Sequence, residues 1–188
     1  MTTEMIAITS EEMLALLDQD RFDRWIIQGE LRERSMTCRR PSHAATTAAL
    51  TFYLQQWVVK RPRPRPKVYN GNIYFRLAVD PDTNVGIDVA LSTPEQAAAT
   101  GLSSRYIEVA PLLAVEMLSA SDTAEDIQEK IEAYLTAGTP LVWIVNPFNA
   151  TVSVYRPHEE PFLFNRNQEL IGDPILDGFR IPVAEIFA

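Results

Sequence analysis

The sequence contains very little cysteine and no long apolar run. Cys38 is the only cysteine among the 188 residues, so an intramolecular disulfide is excluded and a reducing compartment is favoured. The N-terminal stretch MTTEMIAITSEEMLALL lacks a cationic segment followed by an uninterrupted apolar run, the pattern of a secretory signal. About eighteen consecutive apolar residues occur nowhere, so no membrane span is predicted. We therefore expect a soluble, cytoplasmic protein without a membrane partner.

Basic residues are also in deficit. The chain carries 25 acidic against 17 basic side chains, a formal net charge of −8, which argues against tight non-specific binding to nucleic acid. Basic residues concentrate in the group Arg32, Arg34, Arg39 and Arg40 and in the run KRPRPRPK at 60–67. Because the run alternates cations with prolines, we predict an extended, exposed connector, either a solvated linker or an arm that contacts phosphates.

The remaining pattern indicates one domain over residues 1–188, since 46% of the residues are hydrophobic and the composition shows no break. Helices are predicted at 9–18, 43–59 and 123–137, and strands at 25–34, 73–79, 86–92, 110–119, 141–146 and 151–156. The last two strands should form a hairpin, and an irregular segment should follow them. This order predicts a mixed α/β fold with a central mixed β-sheet flanked by helices.

A carboxylate interrupts the most apolar predicted strand. Glu116 lies between Val115 and Met117 in a segment that is apolar on both faces, as expected of a buried central strand. An isolated buried ion is costly, so Glu116 must be paired, protonated or bound to a metal. A structural alternative is an ion pair with a buried arginine.

Asp88 raises the same question on the preceding strand. In GIDVALS the side chains alternate, so Asp88 shares a face with Ala90, which suggests that this face is covered too. The structural alternative is that Asp88 caps a turn after residues 84–86.

A lysine lies within the apolar stripe of the predicted helix at 123–137. Ile127, Ile131 and Tyr134 share one face of this helix, and Lys130 falls among them. The connection from the strand of Glu116 is short, so the helix can fold back and bring the ammonium group near that carboxylate. Taken alone, Lys130 is more typical of a lysine whose stem lies at the edge of an apolar face.

Two carboxylates on adjacent strands are the oxygen ligands that Mg²⁺ prefers. A bound Mg²⁺ or Mn²⁺ would polarise a phosphate and activate water, and Lys130 would orient that water or offset charge on the phosphoryl oxygens. Asp88, Glu116 and Lys130 therefore predict metal-dependent hydrolysis of a phosphodiester. The alternative is a catalytically silent scaffold or interaction protein in which Glu116 and Lys130 form a buried structural ion pair.

The order Asp88, Glu116, Lys130 resembles that of the PD-(D/E)XK nuclease superfamily. The stretch VEMLSASDTAEDIQEKIEAYLTAGTPLVWIVNP is similar to the signature of the Uma-two family of restriction endonucleases, in which the lysine has moved from two positions after the glutamate to the following helix. Leu118 stands at the former position here. The resemblance also covers TSEEML, QGELRE, Pro41 to His43, YFRLAVDPDTNVGIDVALS and LDGFRIPVAEIF.

The resemblance implies a restriction-endonuclease-like fold and a DNA endonuclease, with two-fold symmetry of a homodimer suited to cutting both strands. It implies that Asp88 and Glu116 are the metal ligands, that Lys130 is catalytic, and that Glu30 in QGELRE faces the metal. His43 matches a recurrent histidine, for which a local structural role is equally open.

The sequence departs from the family pattern at two positions. Relatives often have Pro-Asp where this chain has Ile87-Asp88, and again where it has Pro111-Leu112. A metal aspartate at the second position would leave this site crippled. We favour Asp88 because it lies on the strand before that of Glu116.

Overall fold

The fold comprises five helices and ten strands within residues 8–17, 22–35, 40–101 and 104–188, which the computed structural model describes. In chain order the elements are α1 (Ser10–Leu17), β1 (Phe22–Ile27), β2 (Glu30–Ser35), α2 (Pro41–Val59), β3 (Lys67–Val79), β4 (Asp82–Ser92), α3 (Pro94–Ala99), β5 (Leu113–Met117), α4 (Ala124–Thr136), β6 (Val142–Asn146), β7 (Thr151–Tyr155), β8 (Phe162–Asn165), β9 (Glu169–Ile171), β10 (Arg180–Pro182) and α5 (Val183–Ile186).

One mixed sheet contains eight of the strands. Seven follow one another in the order β2, β1, β4, β5, β6, β7, β8, and β3 pairs with β4. Strands β5 and β6 run parallel, whereas the other neighbouring pairs are antiparallel. Strands β9 and β10 form a separate pair. The predicted α/β class, a central mixed sheet flanked by helices, is confirmed.

Helices α2 and α4 cover opposite faces of this sheet. Val115 and Met117 of β5 belong to the apolar cluster that includes Leu54 of α2, whereas Ala114 belongs to the cluster that includes Ile131 of α4. Successive side chains of a strand point to opposite faces. Strand β5 is therefore buried on both sides, as its apolar sequence predicts, and its five residues are all buried.

The sheet opens along one edge of β4. Strand β3 pairs with one edge of β4 over almost its whole length. Strands β1 and β5 share the opposite edge of β4, where Asn84 pairs with Ile26 of β1 and residues 89–91 pair with β5. Between these two contacts, the backbone of residues 85–88 is paired with neither β1 nor β5. We call this stretch of β4, with the adjoining ends of β1 and β5, the notch.

Most predicted elements are confirmed, with shifts at their ends. Helix α2 begins two residues earlier than predicted, and β3 and β4 are longer than predicted. The prediction of an irregular C-terminal segment is wrong, because β8, β9, β10 and α5 lie there, and α3 had no prediction. Residue 18, Cys38 and Arg39 lie outside the described residues.

The basic run forms an exposed connector, as predicted, but it bends rather than being extended, because Arg65 Nε donates a hydrogen bond to the carbonyl oxygen of Arg61. Residues 60–66 lie outside any helix or strand and are mostly exposed, and Lys67 begins β3. Within the described part of the chain, no helix has both the length and the apolar character needed to cross a bilayer.

Candidate active site

A cleft of about 400 Å³ lies over the notch. Strands β1, β4 and β5, the start of α2, helix α4 and the turn after β6 all contribute to its walls. Asp88, Glu116, Lys130 and His43 are among the lining residues. The structure thus brings four of the sequence-predicted residues to one cavity, from two strands and two helices that lie far apart in the chain.

Helix α4 delivers two polar groups to Glu116. A capping box begins the helix: the Thr123 side chain accepts a hydrogen bond from Asp126 N, and the Asp126 side chain accepts one from Thr123 N. One turn apart on the buried face lie Lys130 and Tyr134. Lys130 Nζ lies 3.2 Å from Glu116 Oε1, and the Tyr134 hydroxyl donates a hydrogen bond to the same oxygen.

Glu116 is 5% exposed, and Lys130 is 7% exposed. Burial raises the pKa of the Glu116 carboxyl; the Lys130 charge opposes this rise, and the negative charge of Asp88 adds to it. The alternative in which Glu116 pairs with a buried arginine is wrong, because the cation beside Glu116 is Lys130. Burial also raises the pKa of Tyr134 well above its usual value, with the Glu116 charge adding to the effect.

Asp88 lies across the notch from Glu116. Extending the β4 to β5 register by one pair sets the two residues opposite each other, and Asp88 Oδ2 accepts a hydrogen bond from Met117 N at 2.9 Å. His43 Nε2 lies 3.7 Å from the same oxygen. Burial alone would raise the pKa of Asp88, but the interactions with His43 and Met117 N outweigh it, so this pKa is lowered. Asp88 therefore bridges β4 to β5 rather than capping a turn.

A bulge in β3 shapes the cleft beside Asp88. Between Asn70 and Ile73 the register shifts, and Gly71 and Asn72 have φ values of 101° and 62°. The Asn72 side chain thereby lies against Gly86, where a Cβ atom would stand 2.3 Å from Asn72 Oδ1. Glycine at position 86 is what allows this close approach, and both residues line the cleft.

Arginine and tryptophan form the wall on the β1 to β2 hairpin. Arg34 makes ion pairs with Asp23 and with Asp122, which ties the hairpin to the loop after β5. The Trp25 ring lies 5.6 Å from the Arg34 guanidinium carbon and 5.3 Å from Lys130 Nζ. These contacts hold the hairpin against the cleft.

The structure does not bring Glu30 to this cleft. Glu30 pairs with Ile27 beside the hairpin turn, whereas Asp23, at the other end of the same hairpin, lines the cleft. The Glu30 carboxylate forms an ion pair with Arg32 at 2.8 Å, and Arg32 also bonds Glu129, in a separate cleft beside α4. The residues of QGELRE do not by themselves indicate which end of the hairpin faces the site.

Sequence reasoning missed several residues in the cleft or behind it: Asn72 lines the cleft, and Tyr134 lies behind it on Glu116. Tyr134 was assigned to the apolar stripe alone, although its spacing of four from Lys130 predicts that the two side chains meet. The positive φ values at Gly71 and Asn72 were signalled by the NGN tripeptide within a strand, which is typical of a bulge.

The oxygen atoms of Asp88 and Glu116 fit a hard divalent cation whose remaining ligands come from outside the protein. Among the described residues, no three His, Cys, Asp or Glu side chains cluster closely enough to hold a metal by themselves. Mg²⁺ commonly takes one or two carboxylates and fills its remaining positions with water and substrate phosphate. Glu116 Oε2 accepts no hydrogen bond from the described residues, and a cation would relieve the repulsion between Glu116 and Asp88.

Comparison with known proteins places this geometry in a family. A solved structure described as a putative nuclease belonging to DUF820, from Anabaena variabilis ATCC 29413, superposes with a TM-score of 0.79 at 20% identity, covering 96% of this chain and 97% of that one. At this identity the likeness shows a shared fold. No significant match was found among the curated proteins. The family model Uma2, described as "Putative restriction endonuclease", matches residues 10–184. The chain therefore belongs to the Uma2 family, as the resemblance of its motifs predicts.

Proposed function

We propose that this protein is a Mg²⁺- or Mn²⁺-dependent endonuclease that hydrolyses phosphodiester bonds in DNA at the cleft over the notch. One observation carries the proposal: Asp88 and Glu116 face each other from adjacent strands, with Lys130 on Glu116. Membership of the Uma2 family and the nuclease-like fold support a nuclease in general. The metal, the substrate and the residue roles are inferred from the chemistry of the site.

Asp88 and Glu116 are the proposed metal ligands. A bound divalent cation would supply positive charge at the scissile phosphate and a water molecule of lowered pKa. The backbone N–H of Met117 and the His43 ring fix the orientation of the Asp88 carboxylate. His43 is accordingly a positioning residue.

Lys130 is the proposed catalytic cation. Its ammonium group has three donors, and Glu116 Oε1 takes one of them. The other two can reach a water molecule or a phosphoryl oxygen in the cleft, where positive charge stabilises the transition state of phosphoryl transfer. Tyr134 holds the shared Glu116 oxygen and so keeps the ammonium group in place.

A catalytically silent scaffold is the competing function, and one observation favours it. Lys130 and Tyr134 satisfy Glu116 Oε1 without any metal, so the cluster could be purely structural. The net charge of −8 points the same way, because it disfavours broad contact with a phosphate backbone.

Cleavage and metal binding distinguish the two functions. We expect Asp88→Asn and Glu116→Gln to reduce Mn²⁺ binding in calorimetry and to slow Mn²⁺-dependent nicking of plasmid DNA by about a hundredfold or more. Glu132→Gln makes the same change on the exposed side of α4 and should leave both readouts unchanged.

Lys130→Ala supplies the second arm of the test. If Lys130 is catalytic, this change abolishes nicking, and metal at Glu116 limits the loss of stability. If the pair is only structural, wild-type protein does not nick DNA, and Lys130→Ala lowers the free energy of unfolding by about 3 to 5 kcal/mol because a buried carboxylate loses its partner.

We also propose a cytoplasmic homodimer, in which two-fold symmetry presents one cleft to each strand of a duplex. Sedimentation equilibrium at micromolar concentration should give the mass of a dimer, and the mass of a monomer would contradict this assignment.

A further inference from the structure

An exposed aromatic ring stands at the mouth of the cleft. Phe148 lies in the turn between β6 and β7 and lines the same cavity as Asp88 and Glu116. Its side chain is 52% exposed, although most large apolar side chains of this chain are buried. A ring at this position contributes little to the core, so its place at the cleft calls for a ligand with an apolar face.

The turn holds Phe148 in a defined position. Asn146 Oδ1 accepts hydrogen bonds from Phe148 N at 2.9 Å and from Asn149 N at 3.2 Å. This arrangement is an Asx turn, and Ala150 completes it with a φ of 50°. A ring on such a fixed turn loses little conformational entropy when a ligand packs on it.

An arginine adjoins the ring. The guanidinium carbon of Arg40, the residue before α2, lies 5.5 Å from the centre of the Phe148 ring. Arg40 is exposed and makes no ion pair with the described residues, whereas Arg34 in the same cleft is paired with two aspartates. The mouth of the cleft therefore combines a flat apolar face with a positive charge open to an anion.

We propose that Phe148 and Arg40 form a subsite for an unpaired nucleotide, whose base stacks on the Phe148 ring while the adjoining phosphate meets Arg40. The inference rests on the proposed function and narrows its substrate class. Inside a duplex both faces of a base are already stacked, so a ring can stack only on a base that is single-stranded or extruded. A short contact of this kind also suits a protein with a net charge of −8, because it needs few cations.

Binding to strands with and without bases tests the subsite. The probes are a short fluorescent oligothymidylate and a strand of equal length built from abasic sugar-phosphate units, titrated in EDTA so that no cleavage occurs. We expect wild-type protein to bind the strand with bases at least about fivefold more tightly, the lower range for stacking of one base on an aromatic ring. The same oligothymidylate paired with its complement should bind more weakly than the single strand.

Three variants locate the effect. Phe148→Ala should bind both strands equally, and Phe148→Trp should restore the preference. Phe52→Ala is the matched control, because Phe52 is 56% exposed on α2 and does not line the cleft. It should behave as wild type.

Equal affinity of wild-type protein for the two strands overturns the subsite, as does a wild-type preference that persists in Phe148→Ala. These failures are separable from failure of the nuclease. Plasmid nicking that depends on Glu116, without any preference for strands with bases, would support the proposed nuclease and reject the subsite. A preference for bases that depends on Phe148, in a protein that does not nick DNA, keeps the subsite and removes the nuclease.

Discussion

Asp88 and Glu116 are buried carboxyl groups whose pKa values move in opposite directions. Burial raises the pKa of both carboxyl groups. At Asp88 the interactions with the His43 ring and Met117 N outweigh this effect, whereas at Glu116 the positive charge of Lys130 does not. Asp88 therefore carries its charge more readily than Glu116. Such a difference between neighbouring carboxyl groups is typical of functional sites.

A buried tyrosine near the cleft gives a prediction on stability at alkaline pH. The Tyr74 hydroxyl donates a hydrogen bond to the carbonyl oxygen of Arg24 at 2.9 Å, and burial raises the pKa of Tyr74 to about 12. An acid whose pKa is higher in the folded than in the unfolded chain binds more protons when folded between those two values. Its contribution to stability is therefore complete below about pH 10 and is lost as the pH rises towards 12.

We expect the free energy of unfolding of the wild type to fall by about 2 to 3 kcal/mol more than that of Tyr74→Phe between pH 10 and 12. Urea denaturation of both proteins across this interval measures the difference. Parallel pH profiles would show that Tyr74 ionises as easily in the folded protein as in the unfolded chain.

At the scale of single elements, the start of α4 is decisive for the site. The helix has strong apolar patterning on one face only, and its capping box fixes where the first turn begins. The position of the first helical turn then determines the direction in which Lys130 points. A shift of the helical register by one residue would turn Lys130 by about 100° about the helix axis, away from Glu116.

We therefore expect Thr123→Ala to cost about 1 kcal/mol of folding stability and also to slow nicking, because the cap of α4 supports Lys130. The matched control is Thr93→Ala, which removes the same kind of capping box from α3, a helix with no buried residues and no site residue. Urea denaturation and plasmid nicking measure the two effects. Equal losses of activity in both variants would contradict the link between this cap and the site.

The sequence predicted those elements whose burial pattern is local. Helix α4 and strand β5 are examples: periodicity places Lys130 among apolar neighbours, and apolar residues on both faces mark the strand of Glu116 as central. The placement of Lys130 beside Glu116 followed from a short connection. The short strands β8, β9 and β10 escaped prediction because three or four residues are too few to show a period.

Two features of the site depend on pairing between distant strands and so could not be read from local pattern. Glu30 and Asp23 are both acids of one hairpin, and only the tertiary packing of that hairpin decides that Asp23 lines the cleft. The notch likewise arises because β1 and β5 share one edge of β4.

At the scale of the whole molecule, the start of the basic connector lies far from the cleft. Lys60 follows the last residue of α2, and Ser42 at the first turn of α2 lines the cleft. With a rise of 1.5 Å per residue, the helix separates Ser42 from Lys60 by about 27 Å. The connector ends closer to the cleft, because Lys67 begins β3 and Asn72 of that strand lines the cleft. Arg61 is also engaged by the carbonyl oxygen of Asp177 and by the Trp57 ring. A duplex that contacts Ser42 and Lys60 at once must therefore span about eight base pairs.

This distance makes the role of the connector testable by length of DNA. Replacing Lys60, Arg61, Arg63 and Arg65 with neutral residues should weaken binding of long duplexes and flatten its salt dependence, because fewer counterions are released. Binding of duplexes shorter than about eight base pairs should weaken less. Unchanged affinity and salt slope for long DNA would reject the connector as a DNA-binding arm and favour a solvated linker.

The notch also has a consequence for folding. Its two sides form only when β1 and β5 have both joined β4, and the contact from Ile26 to Asn84 closes a loop of about sixty residues. Non-local strand pairing is slow compared with helix formation. Helices α2 and α4 should thus gain structure early during refolding, whereas the cleft is assembled only in the final collapse of the sheet. Ligand binding at the cleft is consequently a reporter of completed folding.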